Sequence, residues 1–283
     1  MAGPAAGVNN YTATINGLTI GVGTIYRWTA WPSGLGTPDI RAQDTTRPRR
    51  HGVTASDDLL GARTITFEIQ IQGTQAALEV ALTALNSAFA PSPSDAWLDL
   101  RMTGSPSEYS LHGRARGVEW DLSRRYTFGL ADARCTFVAT DPLKYGPLVT
   151  TTIGLPSGTA GLPFPATGPF VFGAQSGGEA TVTNVGPAAV DWTATIAGPM
   201  TTPRLEMVSL GRRVSFDLAV ATGETLVLDS RTGSALLNGS TPRTSTLLPG
   251  SRWWQLPVGS STIRLRAASG TGTVALAHRP GYH

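Results

Sequence analysis

The chain is short of most of what enzymes, membrane proteins and disulfide scaffolds rely on. Cysteine occurs once in 283 residues, which excludes an intrachain disulfide and any cysteine-based zinc site. That residue, Cys135, falls in ADARCTFVAT in step with Ala133, Phe137 and Ala139. It reads as a small buried side chain, with nothing nearby to lower its pKa. Lysine also occurs once, at Lys144, against 21 arginines, and the net charge is only +3. A general affinity for nucleic acid would need a larger excess or a basic stripe. No apolar run approaches the ~18 residues of a membrane helix. The opening MAGPAAGVNNY has neither the basic region nor the apolar core of a secretion signal.

Catalytic constellations are missing too. The four histidines, His51, His112, His278 and His283, share no HExxH-type spacing and no metal-ligand cluster. Each reads as a surface or half-buried polar residue. The paired acids Glu119 with Asp121, and Asp57 with Asp58, could support glycoside hydrolysis, but nothing in the sequence marks a cleft around them. No glycine-rich phosphate loop precedes a helix. In GETLVLDSRTG (223–233), Asp229 and Ser230 look like a nucleophile and its helper. Yet Leu226 and Leu228 alternate with Val227 and Asp229, and Ser230 to Gly233 supplies turn chemistry. We read a sheet corner there, and expect no catalytic residue, metal or cofactor.

What is abundant is punctuation. Glycine (33) and proline (20) together approach a fifth of the chain, above the usual ~12%, and they fall between valine-, threonine- and leucine-rich runs. That pattern predicts many short strands. One helix stands out: after Thr74, a good first-turn cap, Leu78, Leu82, Leu85 and Phe89 form a single stripe that ends before Pro91. Just upstream, RTITFEIQIQ (63–72) alternates Ile65, Phe67, Ile69 and Ile71 with polar residues, as a half-buried strand does. WLDLRM (97–102), YSLHGRARGVEWDL (109–122) and RYTFGLADARCTFVA (125–139) also have strand character. Residues 1–147 therefore read as an α+β domain with one helix. Residues 148–178, containing an uncharged Gly-, Pro- and Thr-rich stretch at 150–170, read as linker and extended arm. Residues 179–283 read as an all-β sandwich or jelly roll. The fold class is mainly β.

Two polar features remain. IRAQDTTRPRRHG (40–52) gathers Arg41, Arg47, Arg49, Arg50 and His51 in one loop, interleaved with acids. No aromatic residue stands by for base stacking, so a protein interface is the preferred reading, ahead of nucleic acid or a plain solvated loop. Trp253 and Trp254 could form a saccharide platform beside Arg252. On a strand, neighbours point to opposite faces, so only one could be a platform, and core packing for both, one inward and one against a neighbour, is the preferred reading.

Two passages carry a family resemblance. GTPDIRAQDTTRPRRHG with the strand and helix after it and ATDPLKYGP (139–147) resembles the N-terminal domain of siphophage distal tail proteins, especially those of actinobacterial phages. PRLEMVSLGRRVSFDLAVATGETLVLDSRTGSALLNG, with SRWWQLPVGSSTIRLRA, is similar to their C-terminal galectin-like sandwich. The resemblance implies a structural, non-enzymatic virion protein at the tail tip. It implies a hexameric ring joining the tail tube to the tail-tip or baseplate hub protein, assembled in the host cytoplasm, with no membrane partner and DNA only as passing cargo. Arg41, Arg47, Arg49 and Arg50 are then candidates for the subunit interface. A carbohydrate-binding module reading the host surface through Arg252, Trp253 and Trp254 is the alternative, and a hydrolase using exposed acids comes third.

Overall fold

Alternating side chains and turn residues resolve, in a computed structural model describing residues 11–102, 108–121, 123–156 and 177–283, into two units. The first spans Met1–Gly146 together with His283, the second Pro147–Tyr282. The chain is mainly β, with a single α-helix among the described residues.

The first unit is built on one antiparallel sheet. In chain order its elements are β1 (Thr12–Ile15), β2 (Leu18–Gly21), β3 (Tyr26–Trp28), four two-residue strands β4 (Ile40–Arg41), β5 (Thr45–Thr46), β6 (Val53–Thr54) and β7 (Leu59–Leu60), then β8 (Arg63–Gln72) and α1 (Gln75–Ala88). They are followed by β9 (Ala96–Arg101), β10 (Glu108–Asp121), β11 (Leu130–Ala139) and β12 (Lys144–Tyr145). The sheet runs β2-β1-β9-β10-β11-β8-β3. Period-2 alternation sets its register: Ile65, Phe67, Ile69 and Ile71 of β8 and Ala131, Ala133, Cys135 and Phe137 of β11 all turn to the dry face. α1 covers that face through Leu78, Ala81, Leu82, Leu85 and Ala88. Thr74 caps it by accepting from the Ala77 N–H at 3.3 Å, and the Phe89 side chain after its end is fully buried. The Tyr26 hydroxyl donates to the Ala81 carbonyl at 3.0 Å, tying β3 to the helix.

One strand reading needs correction. RYTFG does not extend β11 backwards. Arg124–Phe128 forms a 3-10 turn, and Gly129 closes it at φ 77, a left-handed conformation that glycine adopts without steric cost.

The second unit is a two-sheet sandwich. Its elements begin with β13 (Val149–Gly154), β14 (Glu179–Asn184) and β15 (Trp192–Ala197), and continue through β16 (Met200–Thr201), β17 (Arg204–Met207), β18 (Arg212–Ser215) and β19 (Ala219–Val220). Then come β20 (Thr225–Asp229), β21 (Ser234–Leu237), β22 (Thr241–Pro242), β23 (Gly259–Arg266), β24 (Ser269–Gly270) and β25 (Thr273–His278). One sheet runs β13-β25-β15-β20-β21-β22 and the other β14-β23-β17-β18. Leu226, Leu228, Val274 and Leu276 bury from the first; Val182, Leu205, Val214 and Ile263 bury from the second. Part of the 148–178 stretch is thus a strand, since β13 pairs along β25 from Val149↔His278 to Gly154↔Thr273. As the end strand of its sheet, β13 precedes Pro156 where proline is tolerated. The rest of that stretch, residues 157–176, lies outside the described residues. The WWQLPVG segment is not a strand either; its ladder contact is the single bridge Val190↔Leu256.

Asp229 and Ser230 are turn residues. β20 pairs with β21 through Asp229↔Ser234. The Asp229 carboxylate accepts from the Arg231 N–H at 2.9 Å, the Ser230 hydroxyl accepts from the Trp192 N–H at 2.7 Å, and Gly233 has φ 64.

Candidate assembly interface

The arginine cluster does not lie in an irregular loop. Residues 39–59 form a two-stranded ribbon, with Ile40↔Leu60 and Arg41↔Leu59 pairing at its root and Thr45↔Thr54 and Thr46↔Val53 further out. Every residue from Asp39 to Leu59 is exposed. That includes three large apolar side chains, Ile40, Val53 and Leu59. Short polar residues stiffen the ribbon: Asp44 accepts from the Ser56 N–H at 3.0 Å, and the Ser56 hydroxyl accepts from the Gln43 N–H at 2.8 Å. At the tip the Arg47 N–H donates to the Gly52 carbonyl at 3.3 Å, while Arg49 takes φ 66, which is uncommon for a side-chain-bearing residue. Arg41, Arg47, Arg49 and Arg50 therefore ride together on one exposed element. Asp39 and Asp44 sit nearer its root.

The chain on either side of the ribbon is held by a residue whose role was not apparent from its type. Arg63, first in β8, is 1% exposed. Its Nε and Nη2 donate to the Pro142 carbonyl at 3.3 and 3.1 Å, and Nη1 donates to the carbonyls of Gly34, at 3.3 Å, and Gly36. A buried guanidinium needs its donors satisfied, and here main-chain oxygens do it. Burial lowers its pKa from the ordinary arginine value, an effect the nearby Tyr109 partly opposes. Gly34 has φ 82, and a Cβ there would collide with the Thr64 carbonyl. The signal for Arg63 was in the sequence all the same, because it is in phase with Ile65, Phe67, Ile69 and Ile71.

In the second unit, Trp253 and Trp254 line an open cleft of about 480 Å³ with Asp191, Arg212, Ser230 and Arg231. Trp254 is core, 2% exposed, and Trp253 is half-buried. Trp192 packs against both at centroid distances of 4.8 Å (Trp254) and 5.9 Å (Trp253). Its indole N–H donates to the Trp254 carbonyl at 3.0 Å. Asp191 is braced by Arg231 Nε at 3.3 Å and Gln255 Nε2 at 3.2 Å, whereas the buried Trp254 Nε1 has no hydrogen-bond partner among the described residues. Arg252 is exposed and not among the cleft's lining residues. Asp191, Arg212 and Arg231 come from three separated segments, which no local pattern could join.

The remaining candidates fall elsewhere. Cys135 is fully buried, and desolvation pushes its thiol up to about 12, far from a reactive thiolate. His112 is half-buried, 3.6 Å from Asp95 and edge-on to Trp97. Asp95 also accepts from Arg114 Nε at 2.5 Å, a bond that, ahead of weaker contributions, holds its carboxyl below the usual range. His278 corrects the expectation of a surface or half-buried histidine: it is 2% exposed, with Nε2 3.2 Å from the Thr183 carbonyl. It is in phase with Val274 and Leu276 on the dry side of β25. Among the described residues, no group of three histidine, cysteine or acidic side chains could hold a metal ion.

Residues 185–282, about a third of the chain, match the family of siphovirus-type tail components, C-terminal domain. The fold of almost the whole chain matches SPP1 Dit, a protein described as a paradigm of the hub adsorption apparatus in phages infecting Gram-positive bacteria. The TM-score is 0.60 at 16% identity, covering 94% of this chain and 98% of that one. The chain has the fold of SPP1 Dit. A baseplate chain of phage P2, in its calcium-activated conformation, matches at TM-score 0.62 and 10% identity, covering 94% of this chain and 97% of that one. The strontium form matches at TM-score 0.62 and 11% identity, covering 95% and 98%. No curated protein matches by sequence.

Proposed function

We propose that this Dit-like chain closes into a hexameric ring at the tail tip and joins the tail tube to the adsorption apparatus, without catalytic activity of its own. The observation that carries this reading is the ribbon at 39–59. An ordered element with every residue exposed, three large apolar side chains among them, gains nothing from its own fold and needs another surface to cover it. A ring requires that kind of asymmetry, because one head-to-tail contact repeats until it closes, with two different faces on each subunit. Arg41, Arg47, Arg49 and Arg50 serve one of those faces. They meet protein carboxylates rather than the passing DNA, because a lumen that gripped phosphate through many arginines would hold its cargo back. Light scattering on the eluting full-length protein, followed by electron micrographs, tests it: six-fold rings are expected, and a monomer at every concentration overturns the reading.

A second reading has one observation in its favour. The cleft beside Trp253 offers a half-buried indole, a braced carboxylate and an unpartnered buried N–H, which suits a saccharide of the host surface. Arg252 has no place in that cleft. A glycan array probed with the full chain tests it, and absence of binding removes it.

A further inference from the structure

We infer that the tip of the ribbon in one copy docks on the outer face of the β8–β10–β11 sheet of a second copy. The inference rests on the ring reading and identifies the surface that receives the arm. α1 covers one face of that sheet. The opposite face carries an open trough of about 650 Å³. Ladder register builds it: Glu119 lies beside Arg134 and Arg134 beside Glu68, while in the next row Asp121 lies beside Asp132 and Asp132 beside Gln70. Four carboxylates thus face two guanidiniums, Arg125 and Arg134.

The pairing inside the trough decides which acids are free. Asp132 is engaged by Arg125 Nη1 at 2.6 Å and Gln70 Nε2 at 3.0 Å. Glu68, Glu119 and Asp121 form no ion pair among the described residues. Trp120 alternates with the last two and pairs with Ala133, so its side chain, 42% exposed, turns to the opposite face. Three other first-unit acids are already engaged: Asp95 by Arg114, Glu108 by Arg101 and Asp99 by the Ser110 hydroxyl.

The ribbon complements this surface end for end. Between Asp44 and Asp57 it carries Arg47, Arg49 and Arg50 and no acid, whereas its acids gather toward the root. Arg41 at the root is outnumbered by Asp39, Asp44, Asp57 and Asp58, so only the tip is net cationic and gains from meeting Glu119 and Asp121. Arginine's planar fork suits carboxylates. The tip is about ten residues from the root, and at ~3.3 Å per extended residue the ribbon reaches roughly 30 Å, far enough to cross to another molecule. Donor and acceptor differ on each copy, so the contact is head-to-tail.

Charge exchange provides the test, read as the apparent assembly constant of the full chain by light scattering. Arg49→Glu with Arg50→Glu is expected to weaken assembly at least tenfold, and so is Glu119→Arg with Asp121→Arg. Combining all four restores it to within a few-fold of wild type. All four positions are exposed, so melting temperatures stay at the wild-type value, and circular dichroism checks that each variant folds. Weakening by the ribbon reversal alone, with the trough reversal silent, overturns the docking site but leaves the ring reading standing. A combined variant no better than the single reversals also overturns the docking site. A wild-type chain that never assembles overturns both.

Discussion

The ribbon at 39–59 and the hairpin β20–β21 are both antiparallel pairs of short strands, and they differ in who covers them. The hairpin turns Leu226, Leu228, Ala235 and Leu237 into the sandwich and fixes its corner with Asp229, Ser230 and Gly233. The ribbon pairs its backbone in two short ladders yet buries no residue from Asp39 to Leu59. Hydrogen bonding can therefore define a shape without stabilising it much, because each bond contributes only about 1 kcal/mol net. Burial supplies the rest. An element that has one and lacks the other is finished by a neighbour.

The sharpest way to break this comparison is to remove the ribbon. Replacing residues 41–58 by a short glycine-serine bridge is expected to abolish assembly in light scattering while leaving the melting temperature within about 2 °C, since no core contact is lost. Next in size is Leu228→Ala in the hairpin. Emptying that buried position costs about 2–5 kcal/mol, and denaturant unfolding is expected to show the second unit's transition moving while the first unit's stays.

Arg63→Met loosens the segment that leads into the ribbon. It leaves buried carbonyl oxygens without their donor, at a cost of about 3 kcal/mol. Hydrogen exchange at the Gly61 N–H, which bonds the Asp39 carbonyl at 2.7 Å, is expected to speed up in the variant. The smallest effect comes from His278. Desolvation lowers its folded-state pKa below the ordinary 6.5, only partly offset by the Thr183 carbonyl. The unfolded chain then binds the proton more readily. Stability of the second unit is complete above that unfolded value and declines as pH falls below it, by at most about 1.4 kcal/mol per pH unit. Chemical denaturation between pH 7 and pH 5 shows this slope, and His278→Gln removes it.

Elements that bury one face were legible in the sequence. β8 and α1 follow their apolar periods, and the Asp229–Gly233 corner follows its turn residues. What misled were segments whose period is interrupted. Gly129 splits the run at 125–139, and the two tryptophans sit on an extended segment outside the sheets. Arg63 and His278 show the opposite failure, for there the phase was right and the residue type argued against it. The cleft at Trp253 and the trough at Glu119 gather residues from separate strands, so only the register brings them together. That ribbon residues share no core was legible as well, in the absence of any alternation between 41 and 52.

Arg63 grips oxygen atoms that every residue carries. Its partners at positions 36 and 142 can change identity without loosening the joint, whereas the guanidinium itself and Gly34 cannot be exchanged. A joint of that kind lets the outer part of the arm drift in sequence, and so follow a changing partner, while its point of attachment stays where it is.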